Sequence, residues 1–210
     1  MAEEREGTGG ISRRGFLKGM GGGVLSGAAV AEGLLKDEAA ALGTKPKAEV
    51  IKGRTSIELK VNGQVRQVEV EPRTTLLDAL RNRLEHTGSK EVCDRGQCGA
   101  CTVLIDGRAA LACMMLALDA RGKEIITVEG LNRNGELSVV QEAFVEKDGQ
   151  MCGFCTPGMV MSTTALLQVN PNPTLEEAKM GVSGNLCRCG TYPKVFEAIQ
   201  SAAAKMRKGG

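Results

Sequence analysis

Eight cysteines in 210 residues fall into two sets of four, and no other feature narrows the possible folds of this chain as far. The first set is Cys93, Cys98, Cys101 and Cys113; the second is Cys152, Cys155, Cys187 and Cys189. In GNLCRCG, Cys187 and Cys189 are separated only by Arg188. A disulfide closing a ring over one residue would strain the S–S torsion, so these two thiols need partners elsewhere. Composition also directs attention to cysteine. One histidine, one tyrosine and no tryptophan leave little for general acid–base work, base stacking or an aromatic cofactor pocket. A net charge of +2 with 25% charged residues suggests neither nucleic acid nor a strongly acidic partner. The length suffices for one or two small domains.

The stretch before the first cysteines has a clear local pattern. TSIELKVNGQVRQVEVEP alternates apolar and polar residues on both sides of Asn62-Gly63, which predicts a tight β-hairpin. TTLLDALRNRLE places Leu76, Leu77, Leu80 and Leu84 at helical spacing behind Thr74 or Thr75 as N-cap, with Asp78 in the first turn. SKEVCDRGQCGACTVLIDG then sets Cys93, Cys98 and Cys101 at C-x4-C-x2-C, with Cys113 following in a stretch that reads as strand. Disulfides, zinc and iron–sulfur chemistry compete for these thiols. Zinc takes two separated C-x2-4-C pairs, whereas this spacing is that of plant-type 2Fe-2S ferredoxins. Gly96 and Gly99 suit a loop that wraps a cluster closely, because a residue without Cβ permits left-handed backbone and close approach.

From Leu137 onward the period changes to that of helices. LSVVQEAFVEKDG, TPGMVMSTTALLQV, TLEEAKMGVSG and KVFEAIQSAAAKM each read as amphipathic, separated by Gly, Pro and Asn signals, and four short helices make a small bundle. Cys152 and Cys155 open the second helix, while Cys187 and Cys189 fall at the end of the third, so both pairs can meet at one end of the bundle.

Residues Thr55 to Leu131 resemble the 2Fe-2S ferredoxins with a β-grasp fold. MCGFCTPGMVMS and GNLCRCGTY resemble the iron–sulfur subunit of molybdenum hydroxylases, the group of xanthine dehydrogenase, aldehyde oxidoreductase and isoquinoline 1-oxidoreductase. That resemblance implies an α+β chain: a β-grasp 2Fe-2S ferredoxin-like domain at 55–131, followed by a four-helix-bundle 2Fe-2S domain at 132–210. It also implies one cluster on Cys93, Cys98, Cys101 and Cys113 and a second on Cys152, Cys155, Cys187 and Cys189. The chain would then be an electron-transfer subunit with no catalytic residue of its own. Its partner would be a large molybdopterin-binding subunit that oxidises an aldehyde or N-heterocycle, and its acceptor an FAD subunit or a cytochrome c. Relatives carry glutamine directly before the C-x2-C, contacting the pterin; here Met151 stands there, with Gln150 one place earlier.

The N-terminus adds a location. In ISRRGFLKGMGGGVLSGAAVAEGLL, Arg13-Arg14 and the mild apolar stretch behind them read as a twin-arginine export signal over 1–43, joined by a polar linker at 44–54. The stretch is too short and too weakly apolar for a stable membrane anchor. A periplasmic location follows, reached by a route understood to carry folded proteins, because an oxidising compartment would turn unfolded thiols into disulfides before clusters could form. Three further residue groups take plainer readings. His86 is a loop residue with no ligand position left to fill, and Arg188 is either a neighbour of an anionic cluster or a hydrogen-bonding group towards a partner. Met114, Met115, Met159, Met161 and Met180 lie on apolar stripes as core or interface packing.

Overall fold

The computed structural model describes residues 50–132 and 134–208. The expected signal region, with Arg13 and Arg14, lies outside the described residues, as does most of the linker. The hairpin forms where the alternation places it. Strands β1 (Thr55–Val61) and β2 (Gln64–Val70) pair antiparallel with Val61 opposite Gln64, leaving Asn62 (φ 52°) and Gly63 (φ 77°) as a two-residue turn. Positive φ at both turn positions matches the right-handed twist of the flanking strands. Ile57, Leu59 and Val61 face the core, while Ser56, Glu58 and Lys60 between them are exposed.

Thr75, one of the two expected caps, accepts a hydrogen bond from the N–H of Asp78 (3.1 Å) and starts α1 (Leu76–Asp78), which runs on as a π-helical turn over Ala79–Arg83. Thr74 instead accepts from the N–H of Glu71 (3.0 Å). Leu76, Leu77, Leu80 and Leu84 are all buried against the sheet. Strands β3 (Thr102–Ile105), β4 (Arg108–Leu111) and β5 (Glu124–Ile126) complete a mixed sheet of order β2-β1-β5-β3-β4, in which β1 and β5 are parallel and the other pairs antiparallel. Cys113 is not in a strand as expected. The β4 ladder ends at Leu111 opposite Thr102, and a 3-10 turn over Ala112–Met114 takes the chain away from the sheet.

The side chain of Asn62 reaches across the molecule. Its Nδ2 donates to Thr127 Oγ1 (3.0 Å) and its Oδ1 accepts from the Thr127 N–H (2.9 Å), fixing the short connector Val128–Leu131 to the hairpin turn. Four helices follow: α2 (Val139–Glu146), α3 (Thr156–Val169), α4 (Leu175–Gly181) and α5 (Tyr192–Lys208). Capping boxes start two of them, Ser138 with Gln141 and Thr174 with Glu177, and Pro157 stands in the first turn of α3. Val140, Phe144, Met159, Leu167, Ala178 and Ile199 represent the four helices in one apolar core.

α3 also packs across β3 and β4, so the sheet half and the helical half form one compact unit from Ile51 onward. Of the methionines on apolar stripes, Met159 and Met161 are fully buried and Met115 partly so. Met114 and Met180 are exposed, so core packing does not account for them. No helix among the described residues is long and apolar enough to cross a membrane.

Leu80 is fully buried beneath the sheet. Leu80→Ala should therefore cost about 3 kcal/mol of unfolding free energy, read as a lower urea midpoint with unchanged slope.

Candidate metal centres

Backbone register assembles the first quartet. Thr102 opposite Leu111, extended by the Ala112 N–H donating to the Cys101 carbonyl (3.3 Å), brings Cys113 beside Cys101 at the end of the β3–β4 ladder. Both are buried in the sheet core. Cys93 and Cys98 lie in the preceding loop, half-exposed, where the Gln97 N–H donates to Cys93 Sγ (3.3 Å). The thiols meet in pairs, Cys93 with Cys98 and Cys101 with Cys113.

The second quartet repeats this arrangement on helix ends. Cys155 is the N-cap of α3, with Cys152 three residues earlier in an exposed loop. Cys187 and Cys189 are not at the end of the third helix: α4 stops at Gly181, and both lie in the loop before α5. Cys155 pairs with Cys187 at the edge of the helical core, and Cys152 pairs with Cys189 at the surface. Each quartet thus has an inner pair set against an apolar core and an outer pair nearer solvent.

Hydrogen bonds and burial separate the acidities of these thiols. The backbone N–H of Arg95 chiefly holds Cys93 down to about 7, against burial and with help from the Cys98 thiol and the Gln97 N–H. Burial pushes Cys101 up to about 12. In the second quartet burial likewise pushes Cys155 up to about 12, helped by its hydrogen bond and charge interaction with Cys187. Burial acts on Cys187 too, but the hydroxyl and backbone N–H of Thr191, with the Cys155 thiol, bring it down to about 7. The Phe154 N–H and then the Cys189 thiol lower Cys152. Cys189 receives a stabilising N–H from Cys152, yet its hydrogen bond to the Cys152 sulfur raises it overall. Each pair of the second quartet therefore joins a lowered and a raised thiol, as two sulfurs sharing one proton do.

This donor set fits a two-iron cluster better than a single ion. Sulfurs meeting two by two suit a dinuclear centre in which each iron takes two thiolates. Thiol protons must leave when such a centre is ligated.

The two quartets are locked together through residues that the cysteine spacing does not reveal. The Leu186 N–H donates to the Cys98 carbonyl (2.9 Å). Asn185, 3% exposed, donates from Nδ2 to the Gly99 carbonyl (2.9 Å), and its Oδ1 accepts from Ser162 Oγ (2.7 Å) on α3. Thr102 Oγ1 donates to the same Gly99 carbonyl (2.6 Å). Gly99 has φ 70°, and a Cβ there would lie 2.5 Å from the Gly184 carbonyl oxygen. A Cβ at Gly158 would overlap the Gly99 carbonyl oxygen. Two segments carrying second-quartet thiols therefore press against the first-quartet loop at a joint that the Asn185 side chain fills and that admits no Cβ at Gly99 or Gly158.

Two family models match this chain, each for one half: a 2Fe-2S iron-sulfur cluster binding domain over residues 59–124 and a 2Fe-2S binding domain over residues 127–200. The iron-sulfur-binding subunit of aldehyde oxidoreductase from Escherichia coli (strain K12) is 43% identical over 166 residues, covering 72% of each chain. The small subunit of nicotine 6-hydroxylase from Paenarthrobacter nicotinovorans is 48% identical over 153 residues, covering 73% of this chain and 92% of that one. Among solved structures, quinoline 2-oxidoreductase from Pseudomonas putida 86 superposes with a TM-score of 0.71 at 41% identity, covering 74% of this chain and 98% of that one. The chain belongs to the family of iron–sulfur subunits of aldehyde, nicotinate and xanthine dehydrogenases. As a subunit of this family it carries two 2Fe-2S-binding domains, and the paired thiols occupy both.

The glycine joint is directly testable. Gly158→Ala forces α3 away from Gly99, which should cost about 2 kcal/mol and lower Tm by about 6 °C in a chain of this size. Because the joint touches both quartets, iron retention should fall in both rather than in the second alone.

Proposed function

We propose that this chain is the electron-transfer subunit of a periplasmic molybdenum hydroxylase, with one 2Fe-2S cluster held by Cys93, Cys98, Cys101 and Cys113 and another by Cys152, Cys155, Cys187 and Cys189. The observation that carries this reading is the repeated inner-and-outer pairing of thiols, joined between the quartets by the Leu186 N–H on the Cys98 carbonyl. Cys93 with Cys98 and Cys101 with Cys113 would each take one iron of the first cluster. In the second, the pairs would be Cys152 with Cys189 and Cys155 with Cys187, the helical half serving as a four-helix bundle beneath them. When bound, the clusters supply reversible one-electron chemistry, which relays electrons from a catalytic partner to an acceptor.

The chain's own residues do the holding and screening. The β-grasp sheet core and the helical core exclude water from the inner thiols, while backbone N–H groups and Thr191 stabilise thiolate charge. Hydrogen bonds of this kind also tune cluster potential. Around the outer pair of the second quartet, Met151 (71% exposed), Phe154 (54%) and Leu186 (55%) present apolar surface. A free-standing carrier would be expected to expose a polar rim there, so this surface supports docking on a partner subunit. The partner would be a large molybdopterin-binding subunit acting on an aldehyde or N-heterocycle. Relatives named for aldehyde oxidoreductase, nicotine 6-hydroxylase and quinoline 2-oxidoreductase support those substrate classes. Gln150 and Met151 are both exposed at the same surface, available to the pterin side. An FAD subunit or a cytochrome c would accept the electrons.

Export fits the same scheme. Arg13-Arg14 would direct the cluster-loaded chain, with its partner, through the twin-arginine route. Loading precedes export, since an oxidising compartment captures unfolded thiols as disulfides.

Two measurements test this. Iron and acid-labile sulfide should each come to about four atoms per chain, with two distinct paramagnetic signals after full reduction; zinc in their place, or one signal only, contradicts the assignment. Arg13→Lys combined with Arg14→Lys should leave an active, loaded complex in the cytoplasm and none in the periplasmic fraction. Wild-type periplasmic activity in that variant would show that the arginine pair is not an export signal.

A further inference from the structure

Asn185 is a buried polar side chain whose bonds have no local explanation. It is buried to 3% exposure in a loop, two residues before Cys187, yet none of its side-chain bonds serves its own loop. Its Nδ2 donates to the Gly99 carbonyl (2.9 Å) and lies 3.5 Å from Thr102 Oγ1, both in the first-quartet segment. Its Oδ1 accepts from Ser162 Oγ (2.7 Å) on α3, the helix that Cys155 caps. The next residue, Leu186, donates its N–H to the carbonyl of Cys98. Successive donors, Asn185 Nδ2 and Leu186 N, thus engage successive acceptors, the carbonyls of Gly99 and Cys98. One hydrogen bond between two loops acts as a hinge; two at adjacent carbonyls fix both separation and orientation. The Ser162 bond adds the third cysteine-bearing segment to the same amide.

Resting on the two-cluster reading above, we propose that Asn185 is the positioning residue that fixes the separation and orientation of the two cysteine quartets, and with them the coupling between the two clusters. It touches neither cluster ligands nor substrate. Its effect is geometric: it prevents the Cys187–Cys189 loop from swinging about the single Leu186–Cys98 bond. Asn185→Asp is the informative change, because it keeps the volume and the acceptor for Ser162 while removing the donor to Gly99. Ser162→Ala is the second, loosening the amide from α3 without altering either cysteine loop.

The readout is the magnetic interaction between the two reduced clusters in the full chain with its partner, seen as splitting or enhanced relaxation of their electron paramagnetic resonance. That interaction falls with the cube of the separation. Iron and sulfide content are measured on the same samples. Asn185→Asp should retain both clusters and lose most of the splitting, and Ser162→Ala should lose part of it. Both clusters present with unchanged splitting in Asn185→Asp overturns the proposal, as does a wild type with two clusters and no interaction between them. Should Asn185→Asp fail to hold both clusters, Ser162→Ala decides: reduced splitting with full iron supports the proposal, while unchanged splitting or loss of iron overturns it. A wild type containing zinc or no sulfide would instead refute the two-cluster reading itself, an outcome these measurements distinguish.

Discussion

The contact between the carbonyls of Cys98 and Gly99 and the donors of Asn185 and Leu186 organises the rest of this molecule. A buried backbone carbonyl left unpaired would cost about 1–3 kcal/mol, and a cysteine-bearing loop has few local donors to spare. Here the Cys98 carbonyl takes its donor from the other half of the chain, and the Gly99 carbonyl adds one from there to the local Thr102 N–H and hydroxyl. Gly99 and Gly158 are required by the same contact, since side chains would hold the backbones apart. Once that approach is made, α3 can lie across β3 and β4, and two apolar cores become parts of one unit. The quartets are thus set relative to each other by close backbone approach and the Asn185 amide rather than by the thiols themselves.

Much of this was legible in the sequence because it was local. Asn62-Gly63 specifies its own turn, and Thr75 its own cap within three residues. The spacing of Cys93, Cys98 and Cys101 likewise declares a wrapped loop. Where interactions were distant, the sequence carried no comparable signal. Cys113 reads as strand because its neighbours are apolar, and only the end of the β3–β4 ladder shows why it leaves the sheet. Cys187 and Cys189 read as a helix end because TLEEAKMGVSG offers two glycine stops, and the helix ends at the first, Gly181, rather than at Gly184. Asn185 within GNLCRCG looks like an ordinary helix-stop residue; its partners Gly99 and Ser162 lie 86 and 23 positions away. Met114 and Met180 show the same limit from the other side, since an apolar stripe cannot say whether what covers it belongs to this chain.

The two quartets reach a similar electrostatic solution from unrelated scaffolds. In one the residues just beyond the end of a strand ladder supply the buried thiols, in the other a helix N-cap and a loop do. Both set one pair against an apolar core, where desolvation disfavours thiolate, and leave one pair near the surface. The Thr191 groups offset that cost at Cys187 in the inner pair of the second quartet, whereas the Arg95 N–H lowers Cys93 in the outer pair of the first. A centre built this way presents one side to the protein interior and the other to whatever docks outside.

The bond between Asn62 and Thr127 bears on how such a chain is made. Its partners are 65 positions apart, and the Asn185–Gly99 bond spans 86. On a ribosome the hairpin emerges early, but its turn must wait for Thr127 before the connector can settle, and the first cysteine loop must wait longer still for Asn185. Contacts of such sequence separation come late in folding because loop closure must be paid for first. Nascent chains shorter than this therefore carry Cys93, Cys98 and Cys101 in a loop without its lock. Synthesis itself thereby sets an interval in which those thiols depend on the reducing cytoplasm for protection.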